Sequence, residues 1–543
     1  MVLGLALAGP AQSHPKDELI VPLNSEPQTF NPAFATDSAS QLLASLTMAD
    51  LMHINPRTLA VEPALAQSVE HRSPRQWIVH LRPNVRFSDG VPMSAEDVAF
   101  SFRVYTDAKL SPPQRDLLTS NGKTVECKVL DATSVELDLP APMAVGDRLF
   151  DSLWILPRHL LLSAFQGGHL DQAWGLGTAA VSMAGLGPFR IESYQPGREV
   201  ALTRNPQYWR RDAAGTPLPY LARLRLPIVA DPNLRLTLFA RGQVDGLDAI
   251  SSGEFAHLEG NACCRLLDAG AGLNAETMVL NQAPADAAAP AAIPRAWFRM
   301  VAFRRAISLA IDRANLVTNV FGGHAAPLAT LTSPSNKAWA ESAFASMQDL
   351  SGARKQLQQA GFSWKGGLLL APGGRPVAFS LIVPASNAAR SQIAVYLQED
   401  LRKLGMTVQV VPLEFTSYVD RLQRRDDFEA ALVGIQIPDA DPNVEGYLWS
   451  LDGAGHFWNP HPRAPSDWER EMDRWFHLQV SEPSVAVRKR EYRRIQALEK
   501  SELPLIPLVA PDILMAVAPA LEGVEPALLP PHLLWNAGQL HWH

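Results

Sequence analysis

Cysteine is scarce in this sequence, which holds Cys127, Cys263 and Cys264 among 543 residues. Three cysteines are too few to build a disulfide scaffold, and their spacing matches no CxxC or Cys/His zinc pattern. Because the adjacent Cys263 and Cys264 would form a disulfide only as a strained vicinal ring, we expect buried thiols or at most one incidental disulfide. The 14 histidines are scattered, and we expect no metal site and no cofactor.

Charged residues are also scarce, at 19% of the chain against about 25% in typical domains. The 48 Lys and Arg residues are outnumbered by 55 Asp and Glu residues, which gives a formal net charge of −7. A mildly acidic chain without a dense basic face offers a polyanion little attraction, so we exclude nucleic acid as a partner. Hydrophobic residues reach 47%, enough for large buried cores, and the length predicts about three or four domain-sized units.

Long hydrophobic runs are missing, since no uninterrupted apolar stretch reaches the roughly 18 residues of a membrane-spanning helix. The chain starts with an apolar stretch that runs into the small residues of Ala8-Gly9-Pro10-Ala11. This pattern is typical of the end of a secretory signal. We therefore interpret residues 1–16 as the remnant of a signal and expect export to the periplasm. No cysteine follows the stretch, so we do not expect a lipoprotein anchor.

The common enzyme motifs are missing as well: the sequence has no HExxH, no GxxxxGKS or GxxxxGKT, no GxSxG, and no GxGxxG after a strand. Two acids, Asp439 and Asp441, follow a predicted strand, and facing a cleft together they would receive an ammonium group. The alternative is a structural role, because Asp and Asn commonly begin turns that contain proline. Two acids on one turn do not flank a scissile bond from opposite sides, so we expect no enzyme.

The apolar periodicity predicts an α/β chain of short elements. The clearest helical stretch runs from 298 to 320 with an interruption at Asp312, and residues 282–294, rich in Ala and Pro, indicate a loop. In the first half, alternating residues predict strands at 19–23, 76–81, 124–129, 134–139, 189–194, 199–203 and 224–229. In the second half, a strand–helix cadence that is typical of an α/β lobe covers 378–383, 388–404, 407–411, 416–424 and 428–437.

Four segments, spread over most of the chain, carry a family resemblance. They are the WIVHLRPNVRFSDGVPMSAEDVAFSF stretch at 77–102, GLGPFRIESYQPGREVALTRNPQYW at 185–209, FRRAISLAID at 303–312, and Asp439 to Pro442 with the strand 504–508. In this order they resemble the family-5 solute-binding proteins of ABC importers, the dipeptide- and oligopeptide-binding group. The resemblance implies two α/β lobes joined by a hinge, the periplasmic-binding-protein fold, with an additional subdomain inserted in the first lobe.

The resemblance also implies a division of the chain into these parts. The first lobe would be formed by 17–50, 184–270 and 495–543. The inserted subdomain would cover 51–183, and the second lobe 271–494. The 77–102 segment would then lie in the scaffold of the subdomain.

The implied function is that of a substrate-binding receptor. It captures a solute, by the resemblance a peptide or peptide-like molecule, between two closing lobes and delivers it to an ABC permease in the membrane. We expect a monomer. The alternatives are a receptor for a sugar, an opine or a metal chelate, a sensor or chaperone partner, and a hydrolase.

The resemblance implies a set of ligand-binding residues and shows two departures. Peptide-binding members place an acidic residue, which receives the peptide ammonium, shortly before an acidic-Pro pair. Here Pro438 falls at that place, and Ile435 replaces a frequent Trp. Asp439 and Asp441 are therefore the first candidates for the counter-ion of an ammonium. The other candidates are Gln436, Asn443 and Asn281 as amide contacts, and Glu26 and Gly187 as residues that face the cleft.

Overall fold

The computed structural model describes residues 17–543 except 121, 143–144, 261–263, 285–291, 342–346, 461 and 463–464. The predicted signal remnant, Cys263 and most of the predicted loop at 282–294 therefore lie outside the described residues. Contacts divide the chain into two compact units, Met1–Asp268 with Leu514–His543, and Ala269–Ile513. No helix in the described part of the chain has the length and apolar character that crossing a membrane requires.

The elements are short, and they are numbered here in chain order. The helices are α1 (Ser38–Thr47), α2 (Ala95–Thr106), α3 (Arg158–Gln166), α4 (Pro232–Ala240), α5 (Ser252–Leu258), α6 (Ala292–Phe298), α7 (Val301–Ala310), α8 (Arg313–Phe321), α9 (Leu350–Gln359), α10 (Ala388–Arg402), α11 (Phe415–Val419), α12 (Gly446–Trp449), α13 (Asp467–Ser481) and α14 (Val485–Glu502). The strands of the first half are β1 (Glu18–Ile20), β2 (Met52–Ile54), β3 (Val61–Pro63), β4 (Ala66–Ser73), β5 (Gln76–Leu81), β6 (Thr119–Ser120), β7 (Lys123–Thr124), β8 (Glu126–Asp131), β9 (Ser134–Asp138), β10 (Phe189–Gln195), β11 (Glu199–Arg204), β12 (Arg223–Pro227) and β13 (Gly246–Ile250). Those that follow are β14 (Arg265–Ala271), β15 (Ala275–Leu280), β16 (Ala325–Pro327), β17 (Ser363–Lys365), β18 (Leu368–Leu370), β19 (Ala378–Pro384), β20 (Thr407–Leu413), β21 (Ala430–Ile435), β22 (Leu505–Val517), β23 (Leu521–Glu522) and β24 (His541–Trp542).

The first unit contains two four-stranded sheets. One has the order β1-β12-β11-β10, in which β1 is parallel to β12 and the predicted hairpin of β10 and β11 is confirmed. The other has the order β4-β5-β9-β8 and is antiparallel throughout. This second sheet lies wholly within 51–183, the range predicted as an inserted subdomain. The limits of that subdomain stay a prediction.

The 77–102 segment has a structural role in the first unit. Its helix, α2, begins with a capping box in which Asp97 accepts the Ser94 backbone N–H at 2.9 Å, which satisfies a donor that the helix start leaves unpaired. The other carboxylate oxygen of Asp97 accepts the backbone N–H of Arg158, at the start of α3, at 3.0 Å. The acid of this motif therefore joins two helices.

The second unit is organised by the strands β22-β15-β21-β19-β20, which lie side by side in that order. β19 is parallel to both β20 and β21, and α10 is the crossover helix between β19 and β20. The core between this sheet and its helices includes Leu381 of β19, Leu397 of α10 and Leu432 of β21, all essentially unexposed. The predicted strand–helix cadence of this region is confirmed.

The interruption predicted at Asp312 in the helical stretch 298–320 is confirmed: Ile311 leaves the helix after α7, and the Asp312 side chain caps α8 by accepting the Asn315 backbone N–H. The division that the resemblance implies at residue 495 differs from the contacts, which group the chain up to Ile513 with the second unit. The reason is that α14 packs on α13 and the first half of β22 pairs with β15.

Candidate functional site

The carboxyl ends of three parallel strands meet at one edge of the second unit's sheet. β19 ends at Pro384, β20 at Leu413 and β21 at Ile435. The carboxyl edge of a parallel sheet is where α/β proteins usually place a binding site, because loops and helix starts converge there. The segment after β21, residues 436–445, carries four of the predicted ligand residues. We call it the 436–445 loop.

Asp441 is already paired within the protein. Its carboxylate accepts two hydrogen bonds from the Arg488 guanidinium, at 2.9 and 2.6 Å, and both side chains are almost fully buried. Its Oδ1 also accepts the Asn443 backbone N–H at 3.0 Å, which caps the turn at 442–445. A carboxylate that is almost fully buried and neutralised by a buried guanidinium is out of reach of a solute's ammonium. The structure therefore argues against Asp441 as a ligand residue and favours the alternative turn role.

Asn443 belongs to the same buried cluster. Its side-chain oxygen accepts a hydrogen bond from Arg488 at 2.8 Å, and Arg488 also donates to the side chain of Gln479 at 3.1 Å. The guanidinium lies over the ring of Trp339, 5.0 Å from its centre. Asn443 is thus a partner of Arg488, and its predicted role as an amide contact for a solute has no support in this geometry.

Gln436 and Asp439 lie at the outer part of the 436–445 loop. Gln436 is exposed, and its backbone carbonyl accepts the Tyr447 hydroxyl at 3.0 Å. Asp439 is half-buried, and its Oδ1 accepts the Ala440 backbone N–H at 2.6 Å. The ligand roles of Gln436 and Asp439 stay predictions.

A charged pair that the sequence analysis missed lies at the same edge. Arg390, in the first turn of α10, donates to both carboxylate oxygens of Glu276 in β15, at 2.7 and 3.2 Å. Gly434, which pairs with Glu276 across β15 and β21, makes room for it, because a Cβ there would lie 1.8 Å from an Arg390 nitrogen. Burial opposes the charge of Arg390, and the hydrogen bond and charge of Glu276 outweigh it and raise its pKa.

Asn281 is a structural residue. It is fully buried just after β15, where its amide donates to the carbonyls of Asp426 and Phe428 at 3.2 and 3.0 Å. Its oxygen accepts the Ala283 backbone N–H at 3.1 Å. Each polar atom of its side chain therefore has a backbone partner, and its ligand role stays a prediction.

The first unit holds the remaining two predicted residues, and both have partners. Glu26 accepts the Tyr194 hydroxyl at 2.5 Å and the Gly197 backbone N–H at 2.7 Å, and these bonds lower its pKa. Gly187 lies against the backbone at the end of α1, where a Cβ would come within 2.6 Å of the Leu46 carbonyl oxygen. Gly187 is thus required for packing, whereas Glu26 keeps a partly accessible carboxylate and its ligand role stays a prediction.

A small cavity, also missed from the sequence, lies in the first unit just beyond β1. Its volume is about 60 Å³, and its polar lining includes Asn24, Arg235 and Asp248. Burial raises the pKa of Asp248, whose carboxylate accepts the Leu533 backbone N–H. No local motif marks these residues, because they come from three separate segments of the chain.

Two α/β units, with polar side chains at strand ends in each, define the chain as a two-lobed binding protein of the periplasmic type. The chain belongs to the bacterial extracellular solute-binding proteins, family 5, whose model matches residues 60–457. The receptor function and the two-lobed fold that the sequence analysis predicted are confirmed: the protein is a substrate-binding component of an ABC transporter.

Similar proteins agree with this assignment. A Deinococcus radiodurans protein named "Probable ABC transporter-binding protein" is 24% identical, covering 91% of this chain and 87% of the relative. The oligopeptide-binding protein AppA of Bacillus subtilis is 22% identical, covering 94% and 89%. The crystal structure of NikA from Brucella suis, in complex with Fe(III)-EDTA, has a TM-score of 0.79 at 20% identity and covers 97% of this chain and all of that chain. At such identity a solved structure shows the fold alone.

Proposed function

We propose that the protein binds a peptide or peptide-like solute in the periplasm and delivers it, as a monomer, to the membrane subunits of an ABC permease. A relative that covers most of the chain is named an oligopeptide-binding protein, which supports this class of cargo. The proposal includes that the protein catalyses no reaction and binds no nucleic acid. The absence of catalysis is supported by the family, which consists of solute-binding proteins. The absence of nucleic-acid binding is supported by the mildly acidic net charge of the chain.

The observation that carries the cargo class is the pairing of opposite charges at the carboxyl edge of the second unit. Glu276 and Arg390 are only about 15% exposed and bind each other bidentately. Asp439 supplies a further carboxylate on the loop after the neighbouring strand. A zwitterionic solute carries both an ammonium and a carboxylate, so this edge offers a partner for each end. Partly desolvated charges of this kind set specificity as well as affinity.

One experiment tests both the peptide class of the cargo and the role of Asp439. Calorimetric titration with short peptides, each compared with its N-acetylated form, measures the contribution of the ammonium. We expect acetylation to weaken binding to the native protein tenfold or more, equivalent to about 1.4 kcal/mol. If Asp439 receives the ammonium, Asp439→Asn binds the free and the acetylated peptide with nearly equal affinity.

A matched control is available in the same unit. Asp467 is fully exposed on α13, and Asp467→Asn should keep the full effect of acetylation. Equal affinities for free and acetylated peptide in the native protein would contradict the ammonium site, and failure of every peptide to bind would contradict the cargo class.

A second candidate cargo is a non-peptide anion such as a metal chelate or an opine. The observation in its favour is that Pro438 stands where peptide-binding members have an acid, while Asp441 is committed to Arg488. The Brucella suis neighbour was crystallised with Fe(III)-EDTA. Binding of such an anion with no binding of peptides, lost in Arg390→Lys because a lysine cannot make the bidentate contact, would favour this candidate.

A further inference from the structure

Three metal-ligating side chains converge in the first unit, and none of them is among the candidate ligand residues. Asp50 precedes β2, His53 lies within β2, and Asp151 follows the short turn at 146–150. His53 Nδ1 lies 3.1 Å from Asp50 Oδ2 and 3.3 Å from Asp151 Oδ1. All three ligand atoms lie within 4.8 Å of one another. The cluster therefore joins two segments that are about a hundred residues apart in the chain.

The two carboxylates are held in place by backbone groups, independently of the histidine. Asp151 Oδ1 accepts the Ile54 N–H at 2.7 Å, and Asp50 Oδ2 accepts the Ser152 N–H at 3.3 Å. Asp50 is only 3% exposed, whereas the His53 side chain is 30% exposed. Hydrogen bonds of this kind orient metal ligands in known sites. The cluster thus has two fixed oxygens and an imidazole open to solvent.

The histidine cannot satisfy both carboxylates of the cluster. In the described part of the chain, His53 is the cation within ion-pair distance of Asp50 and Asp151. A single Nδ1 carries a single hydrogen, so it cannot donate fully to two carboxylates at once.

We propose that Asp50, His53 and Asp151 form a binding site for a divalent transition metal, Zn²⁺ being the ion that fits best. Zinc bonds of about 2.0–2.1 Å in a tetrahedron place neighbouring ligand atoms about 3.3 Å apart. The distances from Nδ1 to the two oxygens match that spacing. One nitrogen and two carboxylate oxygens suit zinc better than the oxygen-only sites of calcium and magnesium. The exposed side of His53 leaves the fourth position for water.

The competing occupant is a proton on His53, which would bridge the two carboxylates without any metal. The protein offers a comparison for this case, because His71 and Asp147 form a pair of 2.7 Å in the same unit with a single carboxylate. A protonated histidine would account for the short distances in the cluster and in the pair of His71 and Asp147 alike. A metal site predicts that the cluster of Asp50, His53 and Asp151 binds zinc tightly and that the pair of His71 and Asp147 does not.

The test is a calorimetric titration of the full chain, stripped of metal with EDTA, with zinc chloride. We expect one tight equivalent of zinc and a rise in the thermal unfolding temperature, since a ligand that binds the native state stabilises it. His53→Gln and Asp151→Asn should each weaken that site at least tenfold, whereas His71→Gln should leave it unchanged. Circular dichroism checks that each variant is folded, and with two variants a folding defect in one leaves the other as the test.

X-ray absorption at the zinc edge identifies the ligands. The proposal requires nitrogen and oxygen neighbours only, with no sulfur from Cys127 or Cys264. Absence of a tight zinc equivalent, a sulfur shell, or unchanged affinity in a folded His53→Gln protein would overturn it. Loss of zinc in His543→Gln instead would place the metal at the exposed chain end, where His541 and His543 lie near Glu522. None of these outcomes depends on which solute the receptor binds.

Discussion

The two halves of the 436–445 loop contain similar residues and have different roles. In the outer half, Gln436 is exposed and Asp439 is half-buried. The inner half, with Asp441 and Glu445, is buried, and its carboxylates are bound by side chains of α12 and α14. Two aspartates that are two positions apart in the chain therefore differ in burial, since Asp439 is half-buried and Asp441 is buried. The lesson is that the inner half fixes the loop so that the outer half is presented at the sheet edge.

Three contacts from more distant parts of the chain anchor the inner half in addition to the Trp449 bond. Arg488 binds Asp441, the Asn336 amide donates to the Ala440 carbonyl at 2.8 Å, and the Tyr492 hydroxyl contacts both oxygens of Glu445 at 2.8 and 2.9 Å. The partners come from α14 and from the segment before α9. A loop held in this way keeps its shape without a ligand, and preorganisation of this kind lowers the cost of binding.

The largest expected effect follows from removing the central cation. Arg488→Met leaves Asp441 buried without its cation, and breaking a buried pair from one side typically costs about 3–5 kcal/mol. Urea unfolding should show a loss of stability in this range. The control is Arg402→Met, since Arg402 pairs with Glu399 at the surface with 72% and 52% of the side chains exposed. Such a pair contributes about 0–1 kcal/mol.

A double variant sharpens the same comparison. Arg488→Met combined with Asp441→Asn removes the buried charge as well as its partner, so part of the lost stability should return. If Arg488→Met alone unfolds at the same urea concentration as the native protein, Arg488 does not anchor the loop, and the contrast between its two halves is lost.

The next effect depends on pH and concerns Glu445. Burial raises its pKa, the Trp449 and Tyr492 hydrogen bonds lower it, and the charge of Asp441 raises it again, to a value of about 7. The folded protein therefore binds the proton more tightly than the unfolded chain, whose glutamate has a pKa near 4.3. The stability contributed by this proton is complete below that lower value and is lost as the pH rises to about 7.

Glu445→Gln isolates this contribution, because glutamine resembles the protonated acid and does not titrate. The difference in unfolding free energy between the native protein and the variant should change by up to about 3 kcal/mol between pH 4.5 and 7, to the disadvantage of the native protein at the higher pH. Denaturant unfolding at several pH values measures it. Parallel stability curves for the two proteins would show that Glu445 does not titrate in this window.

The fold could be predicted from the sequence far better than the roles of single residues. The strand predicted at 76–81 matches β5, and the cadence from 378 to 437 matches the sheet of the second unit, because alternation and turn residues are local signals. The 436–445 loop, which carries four of the predicted ligand residues, also contains a candidate that solvent reaches, Gln436. The sequence could not show that Asp441 is occupied, since its partner Arg488 is 47 positions away. Glu276 and Arg390, 114 positions apart, were missed for the same reason.

The smallest expected effect concerns two glycines, one that lies against a flexible side chain and one that lies against backbone atoms. A Cβ at Gly434 meets the end of the Arg390 side chain, whereas a Cβ at Gly187 meets backbone atoms at 2.6 Å. Backbone moves less easily than the end of a long side chain. Gly187→Ala should therefore lower the free energy of unfolding by about 1–3 kcal/mol, the typical cost of overpacking, and Gly434→Ala should lower it less. In Gly434→Ala the guanidinium leaves Glu276, so affinity for the anionic end of a solute should change more than stability. Urea unfolding and ligand titration on both variants test this comparison. A Gly434→Ala protein that is less stable than Gly187→Ala and binds the solute with unchanged affinity would contradict it.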